Sequence, residues 1–208
     1  VKVNGRTVPL ETDATAPLAY RLDNPEVWSL GVRRFLTART ITNPVILIQP
    51  YEPGRIPVVL VHGTASSPVW WAEMINTLRG DPVLRNRYQF WFFQYNSSNP
   101  ILISAGQLRE TVSDLVAKLD PTGQDATMRQ MVVIGHSQGG LLTKMTAVEP
   151  GDSIWTGVSN KSIDELDADP EIKELLRTIF FFEPLPFVKR VVFISTPHRR
   201  RFLTKNWI

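Results

Sequence analysis

The chain has 208 residues and a mass of 23.6 kDa, which suits a single domain with a sizeable hydrophobic core. Its 23 basic and 20 acidic side chains leave a net charge of only +3, so the pI near 9.3 does not predict a nucleic-acid partner. The absence of cysteine excludes disulfides, thiolate catalysis and cysteine-ligated metals, and leaves the compartment and the oligomeric state open.

The N-terminal section, residues 1–50, predicts β structure with one helix. Asn4-Gly5 is a typical hairpin turn, and residues 7–10 would form the return strand. A helix is expected from Asn24-Pro25 to Phe35, and a strand over residues 45–48. The sequence contains neither a signal-peptide pattern nor an apolar run long enough to cross a membrane. Association with a membrane surface is left open. Because the chain begins with Val1 and not with methionine, we expect a processed or partial sequence.

Strands and helices alternate through the rest of the chain. A buried strand over residues 56–61 precedes a helix that carries Trp70, Met74 and Leu78 and ends at Asp81-Pro82. The aromatic run 88–95 predicts a strand, and residues 105–119 predict an amphipathic helix. This order predicts one α/β domain over residues 1–208, with a mainly parallel sheet flanked by helices.

The C-terminal third begins with an apolar strand at 131–134 and a helix over residues 141–148. Residues 152–186 are the least regular part, and we interpret them as a cap-like insertion with a short helix around 171–179. A last strand is expected over residues 188–195.

The most informative motif is Gly135-His136-Ser137-Gln138-Gly139, which lies directly between the apolar strand and the amphipathic helix. This context is typical of a nucleophile elbow, in which a serine occupies a strained turn and needs small flanking residues. Ser137 is therefore the candidate nucleophile, with Gly135, His136 and Gly139 as supporting residues. The alternative is a glycine-rich turn whose serine only caps the helix.

A second motif, His62-Gly63-Thr64, follows the buried strand 56–61. Acyl transfer needs two N–H donors aimed at the oxyanion, one from the residue after the nucleophile and one from an earlier strand-to-helix loop. We therefore predict that Gln138 and Thr64 supply these N–H groups, with His62 and Gly63 shaping the loop. The alternative is an ordinary turn between a strand and a helix.

These motifs together resemble those of bacterial serine hydrolases of the α/β-hydrolase fold, in the lipase/esterase-like group. The matching stretches are Pro57–Gly63, Ser66–Pro68 with Trp70-Trp71, Gly135–Gly140 and Phe193–Arg199. The resemblance implies an eight-stranded sheet, a Ser-His-Asp/Glu triad with Ser137 as nucleophile, and no metal or organic cofactor. Such proteins often carry Met at the position of Gln138, and usually a small residue where this chain has Arg200 and Arg201.

None of the three histidines combines a position after Ser137 with a nearby acidic residue; His198 would be the base only as the less favoured alternative to a histidine packed in a strand-to-helix loop. His62 and His136 precede Ser137 in the chain. His198 follows Ser137, but residues 188–208 contain no Asp or Glu. The α/β-hydrolase order is Ser, acid, His. We therefore expect that the chain stops before its acid and base, that its sheet lacks the last two strands, and that the chain alone is inactive or weakly active.

Two classes of function fit the sequence. The first is a carboxylic-ester hydrolase acting on a small-molecule or lipid ester, or an acyltransferase with the same nucleophile. Aromatic residues would then bind the acyl chain, unless they only pack the core; they are Trp70, Trp71, Phe180 to Phe182 and Phe187. The second is a non-catalytic binding module that keeps the fold.

Overall fold

The computed structural model describes residues 2–7, 16 and 45–198. Its strands are β1 (Lys2–Val3), β2 (Arg6–Thr7), β3 (Val45–Leu47), β4 (Ile56–Val61), β5 (Tyr88–Phe93), β6 (Met131–His136) and β7 (Val188–Ile194). Its helices are α1 (Ala72–Gly80), α2 (Pro82–Arg87), α3 (Ile101–Leu119), α4 (Gln138–Lys144), α5 (Ser153–Thr156) and α6 (Pro170–Phe180). Single 3₁₀ turns occupy Pro68–Trp71 and Met128–Gln130.

Five of these strands form one sheet in the order β3-β5-β4-β6-β7. The neighbouring strands β5, β4, β6 and β7 are parallel to one another, and β3 pairs antiparallel with β5 at the edge of the sheet. This mixed, mainly parallel sheet with flanking helices confirms the α/β class expected from the sequence. The Asn4-Gly5 turn is also confirmed, since both residues have positive φ between β1 and β2. The remainder of the predicted return strand and the helix predicted over 24–35 lie outside the described residues.

The central strands are buried because helices cover both faces of the sheet. Every residue of β4 is buried, as are five of the six residues of β5. One face packs against α3 through Leu108 and Val112, and the other against α1 and the turn before it through Trp71 and Ile75. Such strands read as continuous apolar runs, which explains why residues 56–61 and 88–93 were recognisable in the sequence.

Two helices differ from expectation. Asp81-Pro82 ends α1 as predicted, but it also begins α2, because the Asp81 carboxylate accepts hydrogen bonds from the N–H groups of Val83 and Leu84. Helix α4 ends at Lys144 and does not continue to Val148. The buried Thr146 hydroxyl donates to the Thr143 carbonyl, and the Thr146 carbonyl accepts from the Leu185 N–H, so the backbone leaves the helix there.

Residues 152–186 contain α5 and α6 and a small apolar cluster of their own. The buried members of that cluster are Trp155, Ile163 and Phe180, and Leu102 of α3 packs against them. The short helix expected near 171–179 is confirmed as α6, whereas the role of the segment as a cap stays a prediction. No helix within residues 45–198 is long and apolar enough to cross a membrane.

The Asp125 carboxylate forms hydrogen bonds to the segments that precede β4 and β6, at the end of the sheet opposite the elbow. Asp125 accepts hydrogen bonds from the Tyr51 hydroxyl (2.5 Å), the Gly54 N–H (3.1 Å) and both the N–H and the hydroxyl of Thr127. Burial opposes ionisation of Asp125, but the hydrogen bonds from Thr127, Tyr51 and Gly54 outweigh it and hold its pKa at about 2.

Replacing Asp125 with asparagine is expected to lower the free energy of unfolding at pH 7 by about 1 kcal/mol, after allowance for solvent screening. Because the pKa of Asp125 is lowered in the folded state, its contribution is complete above pH ~4 and is lost as the pH falls toward 2. Urea unfolding at pH 7, 5 and 3.5 measures this. The exposed Asp114→Asn is the charge-matched control, and an equal loss in both variants would contradict the prediction.

Candidate active site

Four loops meet at the carboxyl edge of the sheet, because β5, β4, β6 and β7 are neighbouring parallel strands. Val61 of β4 is in register with Gly135 of β6, and His136 of β6 with Ile194 of β7. Three non-glycine residues of these loops have positive φ, namely Ala65 (51°), Ser137 (52°) and Ser195 (49°). Strained backbone of this kind clusters at functional sites, and ligands of parallel α/β sheets bind outside the carboxyl ends of the strands.

Ser137 lies at the turn from β6 into α4, with φ 52° and ψ −122°. Its N–H donates to the Ile194 carbonyl (2.9 Å), and its carbonyl accepts from the Gly140 N–H (3.1 Å), so the turn is held on both sides. The side chain makes no capping hydrogen bond to α4, which removes the interpretation that this serine only caps the helix. Within the described part of the chain the Ser137 hydroxyl has no hydrogen-bond partner.

The glycines around Ser137 are required by close packing. A Cβ at Gly135 would overlap the Gly139 carbonyl oxygen and the Thr143 hydroxyl. A Cβ at Gly139 would overlap the carbonyl groups of Val61 and His62 at the end of β4. Helix α4 therefore starts in direct contact with the loop that follows β4.

That loop lies against Ser137. A Cβ at Gly63 would stand 3.1 Å from Ser137 Cβ, and the Thr64 hydroxyl donates to Gln138 Oε1 (2.5 Å). No hydrogen bond from the backbone N–H of Thr64 or of Gln138 is found among the described residues. The structure thus brings the two predicted oxyanion donors to one place beside the nucleophile; their oxyanion role stays a prediction.

Ser97, in the loop after β5, was not identified from the sequence. This buried residue accepts from the Ala65 N–H at its hydroxyl (2.9 Å) and from Gln138 Nε2 at its carbonyl (3.2 Å). It therefore joins the Thr64 loop to the elbow. The available signal was a polar stretch, Gln94 to Asn99, directly after an aromatic strand at the same sheet edge.

His62 is a structural residue of this site. Its ring is almost fully buried and stacks on Tyr95 at 4.5 Å between centroids. Nδ1 lies 2.9 Å from the Gly63 carbonyl oxygen, and Nε2 accepts a hydrogen bond from the Tyr95 backbone N–H (3.3 Å). With both ring nitrogens engaged, His62 cannot take a proton from Ser137.

The other two histidines also lack the arrangement of a triad base. His136 is exposed, and its ring makes an edge contact with Trp71 at 6.5 Å. His198 is exposed, and its ring makes an edge contact with Phe193 at 4.6 Å. Among the described residues, neither ring contacts a carboxylate by a hydrogen bond or an ion pair, so neither has a partner that would fix its tautomer.

The aromatic residues considered as an acyl site separate into groups. Trp71 and Phe187 pack in or against the core, and Phe180 packs edge-on against Trp155. The guanidinium carbon of Arg109 lies 4.3 Å from the centre of the Phe182 ring. Core packing therefore accounts for three of the six, namely Trp71, Phe180 and Phe187. Trp70 and Trp71 line a cavity near the candidate site.

No group of three or more His, Asp or Glu side chains able to hold a metal occurs within the described ranges.

No protein-family model matches the chain, and no curated protein matches it in sequence. Solved structures similar to it include lipases and esterases at low identity. The mature lipase of Bacillus licheniformis shares 15% identity with a TM-score of 0.41 over 76% of this chain. An acetylxylan esterase shares 17% with a TM-score of 0.41, covering 74% of this chain and 68% of its own. A propionate-bound esterase of Thermogutta terrifontis shares 11% with a TM-score of 0.44, covering 78% and 53%. The chain spans 49% of the length of the Bacillus lipase.

Proposed function

We propose that this chain acts on carboxylic esters as a serine hydrolase of lipase/esterase type, with an acyl-enzyme on Ser137. The observation that carries the proposal is Ser137, which lies at a turn with positive φ and whose hydroxyl has no hydrogen-bond partner within residues 45–198. Thr64 and Gln138 are joined by a side-chain hydrogen bond at this turn, and among the described residues their backbone N–H groups donate no hydrogen bond. Two such donors would suit the oxyanion of an ester addition intermediate.

In this mechanism Ser137 Oγ attacks the ester carbonyl carbon while its proton passes to a base. The carbonyl oxygen gains negative charge and binds the N–H groups of Thr64 and Gln138. Collapse expels the alcohol, which takes up a proton, and water then releases the acid and restores Ser137. Each preorganised donor is worth about 3 kcal/mol of barrier in comparable sites. An acyltransferase would use the same residues with another acceptor in place of water.

Among the described residues there is no candidate for the general base of this mechanism. Both ring nitrogens of His62 are in polar contacts with the backbone, and within residues 45–198 the rings of His136 and His198 have no carboxylate partner. Removing a triad member from a serine protease leaves roughly 10³–10⁴-fold catalysis over water. We therefore propose that this chain by itself turns over esters weakly. The same observation favours a second candidate function, a binding module that holds ester-like ligands without cleaving them.

Incubation with p-nitrophenyl acetate is expected to release p-nitrophenol and to add one acetyl group to Ser137. The acylation step is the more favourable one here because the leaving phenolate needs no general acid. Intact-mass and peptide mass spectrometry locate the acetyl group, and absorbance follows the phenolate.

Ser137→Ala is expected to lose this acylation, whereas the partly buried Ser159→Ala on the 152–186 segment keeps it and controls for acylation of other serines. Equal labelling of the parent and Ser137→Ala would overturn the hydrolase proposal and leave the binding module as the better function.

A further inference from the structure

The side chain of Gln138 bridges two loops at the carboxyl edge of the sheet. Its Oε1 accepts a hydrogen bond from the Thr64 hydroxyl (2.5 Å), and its Nε2 donates one to the Ser97 carbonyl (3.2 Å). The Ser97 hydroxyl in turn accepts from the backbone N–H of Ala65, the residue after Thr64 (2.9 Å). These contacts close a ring of hydrogen bonds that joins the loops after β4 and β5 to the first residue of α4.

The two ends of this bridge require a carboxamide. A backbone carbonyl can only accept, so the Ser97 carbonyl directs the NH₂ group of Gln138 toward the loop after β5. The amide oxygen of Gln138 then faces Thr64, whose hydroxyl supplies the donor. A methionine side chain has a similar length, but it has no N–H donor and its sulfur is only a weak acceptor. Gln138→Met would therefore remove the bridge and keep most of the volume.

The bridge connects the two residues whose backbone N–H groups are the predicted oxyanion donors. The N–H of Thr64 belongs to a loop in which Ala65 has φ 51°, and the N–H of Gln138 belongs to the first turn of α4. Strained backbone persists only where its surroundings hold it, and the bond from Ala65 to Ser97 is such a restraint. One oxyanion needs both donors at about 3 Å, and a misplacement of about 1 Å can slow a reaction by about 10²-fold. The spacing of the two loops therefore matters for the reaction.

We propose that Gln138 is a positioning residue through its side chain, which holds the backbone N–H groups of Thr64 and Gln138 at the spacing that one oxyanion requires. The carboxamide itself does not touch the ester. This inference rests on the proposed function, and it gives the side chain of Gln138 a role separate from that of its N–H. Because the donors act on charge that develops only in the transition state, loss of the bridge should slow acylation without weakening ester binding.

Acylation of Ser137 by p-nitrophenyl acetate is measured over a range of ester concentrations, which gives its rate constant at saturation separately from KM. Gln138→Met and Thr64→Val should each lower this rate constant about tenfold and change KM by less than about twofold. The double variant should lose no more than Gln138→Met alone, because the bond to Thr64 is already absent there. Thr64→Ser, which keeps the hydroxyl, should recover most of the rate that Thr64→Val loses.

Gln130→Met is the matched control, since Gln130 is exposed in the 3₁₀ turn before β6, at the opposite end of the sheet. It should keep the rate of the parent chain. Thr64 is also exposed, so Thr64→Val and Thr64→Ser test the bridge even if Gln138→Met fails to fold.

Three results would contradict the proposal. A rate constant for Gln138→Met within about twofold of the parent would overturn it and leave the hydrolase standing. Loss of rate in Thr64→Val but not in Gln138→Met would also overturn it, because the hydroxyl would then act on the substrate and not through Gln138. A parent chain that is not acylated at Ser137 would overturn the hydrolase function, and this inference with it.

Discussion

Replacing Gly139 with alanine is expected to lower the free energy of unfolding by about 3 kcal/mol. The added Cβ would overlap the carbonyl groups of Val61 and His62, which belong to the backbone at the end of β4. A side chain could rotate away from such an overlap, but these carbonyls can move only with the central strand of the sheet. The loss should exceed the helix-propensity gain of roughly 1 kcal/mol that alanine brings. Urea unfolding followed by tryptophan fluorescence measures it.

Gly106→Ala is the matched control, because Gly106 lies inside α3 and a Cβ there would meet nothing within 4 Å. This variant is expected to gain about 0.5–1 kcal/mol, since alanine is the better helix former. Opposite signs for the two glycines would support the contact between α4 and the loop after β4. If Gly139→Ala also stabilised the chain, that contact would be wrong.

The elbow could be predicted because its determinants are local. Gly135, Ser137 and Gly139 lie within five consecutive residues, and the apolar strand and the helix on either side restrict the turn between them. The loop at His62-Gly63-Thr64 could be predicted for a related reason, since it follows a continuous buried strand. Their proximity then follows from the parallel pairing of β4 with β6.

Features set by distant contacts were not predictable. Ser97 is 32 residues from Ala65 and 41 from Gln138, and only the position of β5 beside β4 brings it to the site. The early end of α4 depends on Leu185, which bonds to Thr146 from a segment with no regular pattern. The engagement of both nitrogens of His62 likewise requires Tyr95, 33 residues away. Hydrophobic periodicity carries no information about such polar contacts.

His198→Ala is expected to change Ser137-dependent acylation by p-nitrophenyl acetate by less than about twofold, because a positioned general base is worth about 10²–10⁴-fold and His198 is not positioned as one. Its ring contacts Phe193 and, within residues 45–198, has neither a hydrogen bond nor an ion pair. Ser137→Ala, by contrast, should reduce acylation to the rate of the buffer.

The pH dependence of the acylation rate also distinguishes attack without a base from attack assisted by a histidine base. Without a base, attack requires the Ser137 alkoxide, whose fraction follows hydroxide, so the acylation rate should rise about tenfold per pH unit from pH 6 to 9. A histidine base would instead produce a plateau above its own pKa, near pH 6.5 for an unperturbed ring. A plateau in the parent chain that His198→Ala removes, together with loss of activity as complete as in Ser137→Ala, would show that His198 is the base and that the weak-turnover proposal is wrong.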